Sequence, residues 1–277
     1  MIPIAVIIIA QNEEANIEQC VISVAGWAKQ VFVVDAFSTD RTAELARARG
    51  AQVVQHEFVD WADQRNWALK NLPLQGDWVF FLDADEAVPA AFKAKLGQLI
   101  ASAPTDLAGV YVRFAFWFLG RELRYAYEAP PVMRIIRRGQ AAWRGEGARE
   151  YCTVDGSTAA IEGRLLHRDL KPLSAWIDKQ NRNASREARA LLQARANGAV
   201  PLVVSGQTER AWRIRLRQRV YNRLPAVVRP FLYFLYRYVI RLGFLDGLPG
   251  LAYCFLQGLW WPFLVDLKFL ELRQTCA

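Results

Sequence analysis

Apolar runs alternate with amphipathic stretches along the first 110 residues of the chain. The apolar runs, which predict strands, lie at residues 4–10, 31–34, 52–54 and 78–82. The stretches with helical periodicity lie at residues 13–28, 40–49, 61–72 and 90–102. Continuous apolar strands are typical of a parallel sheet that is covered on both faces, and regular alternation with helices favours right-handed crossovers. The pattern therefore predicts an α/β fold with a mostly parallel sheet.

The pattern changes after residue 110. Residues 110–114 and 133–136 predict two more strands, and residues 172–197 have the pattern of a long polar helix. The Arg-rich stretch 209–224 alternates as a strand would, yet its flanks favour a helix, and both alternatives stay open.

The last fifty residues are basic and then strongly apolar. Residues 226–242 predict an amphipathic helix with a stripe of cations that includes Arg229, Arg237 and Arg241. The 19 residues 247–265 are uncharged, which is close to the ~20 that a helix needs to span a bilayer. Because prolines and glycines interrupt them, we expect a monotopic or re-entrant membrane segment rather than a clean span. A hydrophobic helix pair packed on the rest of the protein is the alternative.

Charge is distributed unevenly along the 277 residues, whose net charge is +8. Residues 1–110 hold 8 Lys and Arg against 14 Asp and Glu, whereas the remaining residues hold 27 against 13. This asymmetry indicates an acidic half that carries the chemistry and a basic half that faces an anionic partner. The four cysteines form no C-x-x-C pair, so neither a zinc ribbon nor a thioredoxin-type site is indicated.

The strongest chemical signal is Asp83-Ala84-Asp85, which follows the predicted buried strand 78–82. Ligands of open parallel sheets bind beyond the carboxyl ends of the strands, and Asp35 ends an earlier strand in the same way. Two carboxylates at such an end can hold Mg²⁺ or Mn²⁺ and, through the metal, a diphosphate. The metal would act as a Lewis acid on the leaving group. A surface turn of helix-capping acids is the plainer alternative.

Several motifs in order resemble glycosyltransferase family 2. They read IIIAQNEEANIEQC, VVDAFSTDRTAELA, ADQRNWAL, WVFFLDADE, FLGRELRY, RIIRRGQAAWRG, AREYCTVDG and LLHRDLKPLSAWIDKQNR. The resemblance is strongest to the branch of bacterial lipopolysaccharide-core glucosyltransferases, and it covers roughly residues 4–195. It implies a GT-A fold, with a Rossmann-like sheet, as a catalytic domain at residues 1–198. Residues 199–277 would form a basic and hydrophobic helical region that associates with a membrane.

The resemblance also implies which residues meet the nucleotide of the donor. These residues are Ala10, Asn12, Glu14, Asp35, Gln64, Arg65, Asn66, Asp83 and Ala84. The carboxylate of Asp35 can accept the imide N–H of uracil. Asp83 and Asp85 match the metal and diphosphate motif, and His167 completes the metal site in some enzymes of this fold. For His167, a structural role at the end of a strand is equally favoured.

An inverting transfer needs a carboxylate that removes the proton of the acceptor hydroxyl. We expect Glu150 to be this base, with Glu146 as the alternative. The resembled branch usually has Val-His-Glu here, whereas this chain has Ala148-Arg149-Glu150. Arg134 and Arg137 are expected to bind the diphosphate or a phosphorylated acceptor, because guanidinium groups bind phosphate bidentately; a solvated basic strand edge is the alternative.

The sequence therefore predicts an inverting, metal-dependent transfer of a hexose from a UDP-sugar to a lipid-linked or lipopolysaccharide acceptor. The expected place is the cytoplasmic face of the bacterial inner membrane, against an anionic membrane surface. Polyprenyl phosphate is the alternative acceptor. A membrane-bound basic protein that binds nucleotides or nucleic acid is the alternative from another class, but the apolar neighbours of the basic stretch favour lipid over nucleic acid. A nicotinamide-dependent oxidoreductase is disfavoured, because no G-x-G-x-x-G follows the first strand. The donor sugar and the oligomeric state are not predicted.

Overall fold

The computed structural model of the chain describes residues 1–127, 130–146, 149–196 and 228–275. The Arg-rich stretch 209–224, for which strand and helix both stayed open, lies outside the described residues. The described residues group into two compact units. The first comprises Met1–Ala115, Pro131–Gly145 and Arg149–Lys171, and the second comprises Phe116–Pro130, Glu146–Ala148 and Pro172–Ala277.

Eleven strands occur in the described residues. They are β1 (Ile2–Ala10), β2 (Ala28–Asp35), β3 (Gln52–Gln55), β4 (Trp78–Asp83), β5 (Glu86–Ala87), β6 (Leu107–Phe118), β7 (Arg121–Glu122), β8 (Val132–Arg137), β9 (Ala141–Glu146), β10 (Arg149–Val154) and β11 (Ser157–Arg168). The strands predicted from apolar runs are all present. The three strands β9, β10 and β11 were not predicted, because they lack a regular alternation of apolar and polar residues.

Eight α-helices occur in the same part of the chain. They are α1 (Ile17–Val24), α2 (Thr42–Ala48), α3 (Trp61–Asn71), α4 (Ala90–Ala101), α5 (Leu173–Ala196), α6 (Val228–Leu235), α7 (Gly247–Phe255) and α8 (Trp261–Thr275). Helix α6 continues as a π-helical turn, Tyr236–Ile240, and a second such turn, Leu256–Trp260, joins α7 to α8. A short 3₁₀ turn, Gly243–Asp246, precedes α7.

Nine of the strands form one mixed sheet in the order β3-β2-β1-β4-β8-β6-β11-β5, with β7 paired to β6. The pairs among β1 to β4 are parallel, whereas β8 runs antiparallel to both β4 and β6. The α/β fold predicted from the sequence is therefore confirmed, with a sheet that is parallel among β1 to β4 and antiparallel where β8 pairs with β4 and β6.

The core lies on both faces of β1, as its continuous apolar sequence predicts. Ile4, Val6 and Ile8 face a cluster that includes residues of α1, α2 and α4, and the alternate residues Ala5 and Ile7 face a cluster that includes residues of α3. Covered on both sides, the strand can present functional groups only where it ends.

The carboxyl ends of β1, β2 and β4 meet at one edge of the sheet. Ala10 pairs with Asp35 across β1 and β2, and Ile9 pairs with Asp83 across β1 and β4. This register brings the two acidic strand ends to the same edge, which is where an open α/β sheet binds its ligand.

The second unit contains the helices α5 to α8 and an aromatic core of its own. Trp261 donates its indole N–H to the carbonyl of Gln180 at 3.3 Å, and Lys268 donates to the hydroxyl of Ser185 at 2.6 Å. Helix α5 thus packs with the C-terminal helices, whereas the functional division at residue 198 stays a prediction. One helical segment of the described residues, Gly243–Gln274, is long and apolar enough to cross a membrane.

Candidate active site

The loop after β1 and the loop after β2 are tied together by side chains. Asn12, in a left-handed backbone conformation at φ 53°, donates its N–H to the hydroxyl of Ser38 at 2.8 Å. Its side-chain oxygen accepts from the N–H of Thr39 at 2.9 Å. Glu14 accepts from the N–H of Arg41 at 3.3 Å. Asn12 and Glu14 therefore shape the edge at which β1 and β2 end.

Asp35 is fully buried at the end of β2. Its carboxylate accepts from the N–H of Ser38 at 3.2 Å and also from the hydroxyl of that residue. Gln55 approaches the same carboxylate at 3.5 Å. Asp35 thus stabilises the turn that follows β2, beside the buried Ala10. Contact of Asp35 with uracil or ribose stays a prediction.

Helix α3 carries three neighbouring polar residues, of which two hold the main chain in place. Gln64 is fully buried and donates to the carbonyls of His56 at 3.1 Å and Glu57 at 3.0 Å. Asn66 donates to the carbonyl of Trp143 at 2.8 Å and accepts from the N–H of the same residue at 3.0 Å. Gln64 and Asn66 thus anchor the loop after β3 and the strand β9.

Arg65, between these two residues, is 1% exposed and joins two carboxylates. Its Nη2 lies 3.0 Å from Oδ1 of Asp83 and 3.0 Å from Oε1 of Glu150. Its guanidinium carbon lies 5.6 Å from the centre of the Phe81 ring. Because both carboxylate oxygens bind the same nitrogen, their separation is at most twice 3.0 Å. Arg65 therefore connects β10 to the end of β4.

Asp83 is also held by Arg134, which comes from the antiparallel strand β8. Nη2 of Arg134 lies 2.5 Å from Oδ2 of Asp83 and 2.9 Å from Oε1 of Glu86. Burial acts to raise the pKa of Asp83, but the guanidinium groups of Arg134 and Arg65 hold that pKa below its ordinary value. Asp83 is therefore a carboxylate fixed by two cations.

Asp85 and His167 form the second pair at this edge. His167 pairs with Glu86 where β11 meets β5, and its Nε2 lies 3.4 Å from Oδ2 of Asp85. Burial acts to lower the pKa of His167, but the neighbouring carboxylate of Asp85 raises it to about 9. Ala84, between the two aspartates, is buried.

The residues at this edge fit a divalent cation, although no three His, Cys, Asp or Glu side chains converge on one point within the described residues. Mg²⁺ is usually bound by one or two protein carboxylates, with water and substrate phosphates completing the shell. Asp85 would supply a carboxylate, and His167 lies within 3.4 Å of it. A neutral imidazole suits Mn²⁺, so metal binding would displace the proton that Asp85 favours on His167. The pair leaves the remaining coordination positions to a diphosphate and water.

Glu150, the expected base, lies at this site. One of its oxygens, Oε1, contacts Arg65, whereas Oε2 is buried and has no hydrogen-bond partner within the described residues. The side chain is 23% exposed. The alternative base, Glu146, ends strand β9, but its side chain lies outside the described residues.

The structure separates the two arginines that were expected to bind phosphate. Arg134 lies beside Asp83, whereas Arg137 pairs with Trp78 at the beginning of β4. The six residues of β4 place these ends about 17 Å apart, at ~3.3 Å per residue. Arg137 donates instead to the carbonyls of Leu107 at 2.9 Å and Pro104 at 3.0 Å. Its side chain thus anchors the start of β6, away from the aspartates.

No role was predicted from the sequence for the buried Glu86 or the partly buried Glu13. Glu86 is 1% exposed; burial raises its pKa to about 7, against the effect of Arg134. Glu13 accepts from Lys171 at 2.5 Å and from Asn16 at 2.7 Å. Glu86 follows the two aspartates directly, which was a usable signal, but the partner of Glu13 lies 158 residues away along the chain.

Residues 5–149 match the model of the family described as glycosyl transferase family 2. The lipopolysaccharide core biosynthesis glycosyltransferase LpsC of Rhizobium meliloti (strain 1021) is 26% identical over 276 residues, covering 93% of this chain and 91% of that protein. An uncharacterized glycosyltransferase of Rickettsia bellii (strain RML369-C) is 34% identical over 103 residues, which are 37% of this chain and 34% of that protein.

Among solved structures, mannosyl-3-phosphoglycerate synthase from Rubrobacter xylanophilus is similar with a TM-score of 0.48 and 14% sequence identity. The similarity covers 76% of this chain and 80% of that one.

Proposed function

The chain belongs to glycosyl transferase family 2, and from this premise we propose that it moves a hexose from a UDP-sugar to a lipid-linked or lipopolysaccharide acceptor, with inversion at the anomeric carbon. The observation that carries the proposal is the single-residue bridge between the acidic strand end and the expected base. Arg65 binds both Asp83 and Glu150, so a donor held at β4 and a proton acceptor on β10 lie within reach of one sugar.

The nucleotide binds beyond the ends of β1, β2 and β4. The loops after β1 and β2 are already joined through Asn12 and Ser38, so they form one rim for the base and ribose. Gln64 and Asn66 contribute indirectly, by holding the main chain of the loop after β3 and of strand β9. Because Arg65 is 1% exposed, it acts behind Asp83 rather than on the nucleotide itself.

Asp85 and His167, with Asp83 beside them, would hold Mg²⁺ or Mn²⁺. When bound, the metal supplies Lewis-acid stabilisation of the leaving diphosphate. Arg134 orients Asp83 through its two contacts with that carboxylate and adds positive charge where the diphosphate accumulates negative charge. Arg137 has no part in the diphosphate site, because its guanidinium serves the carbonyls at the other end of β4.

Glu150 removes the proton of the acceptor hydroxyl as that oxygen attacks the anomeric carbon. The proton goes to Oε2, the oxygen without a partner within the described residues, while Oε1 stays on Arg65. The contact of Oε1 with Arg65 holds the base in a fixed orientation, which general-base catalysis requires. The bond from the anomeric carbon to the diphosphate breaks as the new glycosidic bond forms.

The similarity to LpsC along 93% of the chain supports an acceptor in lipopolysaccharide core synthesis. Such acceptors are anchored in the membrane, which agrees with the apolar helical segment Gly243–Gln274. The corresponding place is the cytoplasmic face of the bacterial inner membrane, where UDP-sugars are available.

Titration calorimetry with UDP tests the donor site, in the presence and absence of Mn²⁺. We expect metal-dependent binding by the wild type and its loss in Asp85→Asn. The matched control is Asp77→Asn, since Asp77 is an exposed aspartate just before the same strand, and it should bind as the wild type does. Equal binding by Asp85→Asn would overturn the metal site, and failure of the wild type to bind UDP with either metal would overturn the UDP donor.

A further inference from the structure

The hairpin of α6 and α7 carries apolar side chains on its outside. Every exposed residue of the segment 228–256 is aliphatic or aromatic. Leu248 is 75% exposed and Ile240 is 71% exposed, both near the turn that joins the two helices. The other large ones are Val228, Phe231, Leu232, Tyr233, Leu235, Tyr236, Val239, Leu242, Phe244, Leu245, Leu251 and Phe255. We call this set the apolar face of the hairpin.

Two arginines of the same segment have partners within the second unit. Arg229 binds Asp266 of α8, with its Nε 3.0 Å from Oδ2. Arg237 donates to the carbonyl of Ala126 at 2.6 Å and lies over the rings of Tyr233 and Tyr253. These two arginines of the predicted cation stripe therefore each have a partner within their own unit, and the contact of the stripe with an anionic surface stays a prediction.

Asp246, at the tip of the hairpin, is also turned inward. It is 2% exposed and its carboxylate accepts three backbone N–H groups. The donors are Arg124 at 3.2 Å, Tyr125 at 2.9 Å and Ala126 at 2.8 Å. The tip is thus fastened to the loop that follows β7.

This arrangement is the opposite of that expected for helices on a surface that faces water. A helix on an aqueous surface buries its apolar stripe and exposes its charges, and large continuous apolar patches mark a surface that is covered by something else. In hydrocarbon, polar groups must find partners inside the protein while apolar side chains face outward. We propose that the apolar face of the hairpin lies against a lipid bilayer.

The hairpin lies along the bilayer rather than across it. Helix α6 and its π-helical turn contain 8 and 5 residues, about 20 Å at ~1.5 Å per residue, which is short of the ~30 Å hydrocarbon core. The other arm belongs to the segment Gly243–Gln274, which is long enough to cross, so the charges at the tip decide the orientation. Arg121 donates to the carbonyl of Leu245 at 3.2 Å, so the tip carries exposed arginines. A tip that bears these cations cannot sit at the centre of a membrane.

The charged side chains around the tip indicate the charge of the lipid head groups that the hairpin would contact. Arg121 and Arg124 are exposed beside it, and the side chain of Arg124 is 69% exposed. Arg124 pairs with Glu122 at 3.5 Å, but the side chain of Glu122 is only 17% exposed and Asp246 is buried, so the two arginines are more exposed than the acids beside them. Cationic side chains beside an inserted apolar surface favour anionic head groups. The partner is therefore a bilayer surface that contains anionic lipid.

Flotation of the full-length protein with vesicles tests this surface independently of sugar transfer. The vesicles contain phosphatidylcholine alone or phosphatidylcholine with phosphatidylglycerol. We expect the wild type to float, and to do so more with phosphatidylglycerol. Leu248→Asp and Ile240→Asp should each lower the partition coefficient by about tenfold or more, because a carboxylate replaces an inserted side chain.

Val59→Asp is the matched control, since Val59 is 69% exposed but belongs to the other unit; it should float as the wild type does. UDP binding, measured on every variant, reports folding and separates a failed membrane surface from a failed transferase. The proposal would be overturned if both hairpin variants floated as much as the wild type does. It would also be overturned if the wild type floated with neither kind of vesicle. A discrete dimer that Leu248→Asp dissociates, without vesicle binding, would assign the face to a second copy instead.

Depth within the bilayer distinguishes an in-plane hairpin from a spanning one. A fluorophore is attached to Leu248→Cys or to Val239→Cys in a background without the native cysteines. Lipid-borne quenchers placed near the head group should quench both sites more than quenchers at the chain end. Strong quenching from the chain end at either site would exclude the in-plane arrangement.

Discussion

Asp83 and Glu150 share one nitrogen of the protein, Nη2 of Arg65, at 3.0 Å from each carboxylate. The shared donor is almost completely buried, where an ion pair that loses a partner is costly. The position of the expected base is therefore tied to the strand end that carries the donor motif. Disturbing the bridge should affect stability and turnover together.

Arg65→Lys removes the bridge but keeps the charge. A lysine is a point charge without the planar fork of arginine, so it cannot hold both carboxylates in the same arrangement. We expect the free energy of unfolding in urea to fall by about 1–3 kcal/mol, and kcat to fall by about tenfold or more. The matched control is Arg47→Lys on the exposed side of α2. Unchanged turnover in Arg65→Lys would show that the bridge does not position the base.

Glu150→Gln tests the base directly. The amide keeps the size of the side chain but accepts no proton, so we expect kcat to fall about 10²- to 10⁴-fold while calorimetric affinity for UDP stays near that of the wild type. Glu146→Gln, the alternative site, should retain most of its activity. A larger loss of kcat in Glu146→Gln than in Glu150→Gln would assign the base to Glu146. Little loss in either variant would favour an acceptor that is already a nucleophile, such as polyprenyl phosphate.

His167→Gln tests the second metal ligand. Mutation of a residue that only supports a metal ligand typically costs about 10- to 100-fold in affinity, and loss of a ligand should cost at least as much. We therefore expect the Mn²⁺ concentration for half-maximal activity to rise by at least that factor. The other histidine, His56, pairs with Asp63 at 2.7 Å and stacks on Trp67, so His56→Gln should leave the metal dependence unchanged. An unchanged Mn²⁺ requirement in His167→Gln would make His167 a structural partner of Asp85.

The strand ends were predictable from sequence because their signals are local. A buried parallel strand is a continuous apolar run, and a polar residue directly after it must lie at the sheet edge; Asp35 and Asp83 follow this rule. The burial of Arg65 was not predictable in this way. Its partners come from β4 and β10. Strand β10 could not be predicted, because its sequence has little regular alternation of apolar and polar residues.

Local sequence patterns also could not predict which end of a strand lies at the site, or which side of a helix faces the protein. Arg134 and Arg137 belong to one basic motif, yet the antiparallel course of β8 puts only Arg134 beside Asp83. Helical spacing correctly grouped Arg229 with Arg237, but whether that stripe faces inward depends on Asp266 and Ala126. The helical periodicity of a sequence identifies which residues share one face of a helix. Only the tertiary structure determines what that face contacts.

Asn66→Ala tests whether α3 supports the site by holding β9. Asn66 makes two hydrogen bonds with the main chain of Trp143, and Trp143 packs edge-on against Phe81 with ring centres 4.7 Å apart. Loss of both bonds leaves a backbone N–H and a carbonyl without their partner, so we expect a decrease of about 1–3 kcal/mol in the free energy of unfolding. Urea unfolding measures this change.

Asn71→Ala is the matched control on the same helix, because the exposed Asn71 bonds only to the carbonyl of Trp67, one turn earlier. It should change stability by less than about 0.5 kcal/mol. If Asn66 contacts the nucleotide, as the family resemblance implied, UDP affinity should fall in Asn66→Ala even under conditions where the variant is fully folded. If Asn66 only holds β9, stability should fall while UDP affinity is retained. Equal stability of the two variants would remove Asn66 from the support of the site.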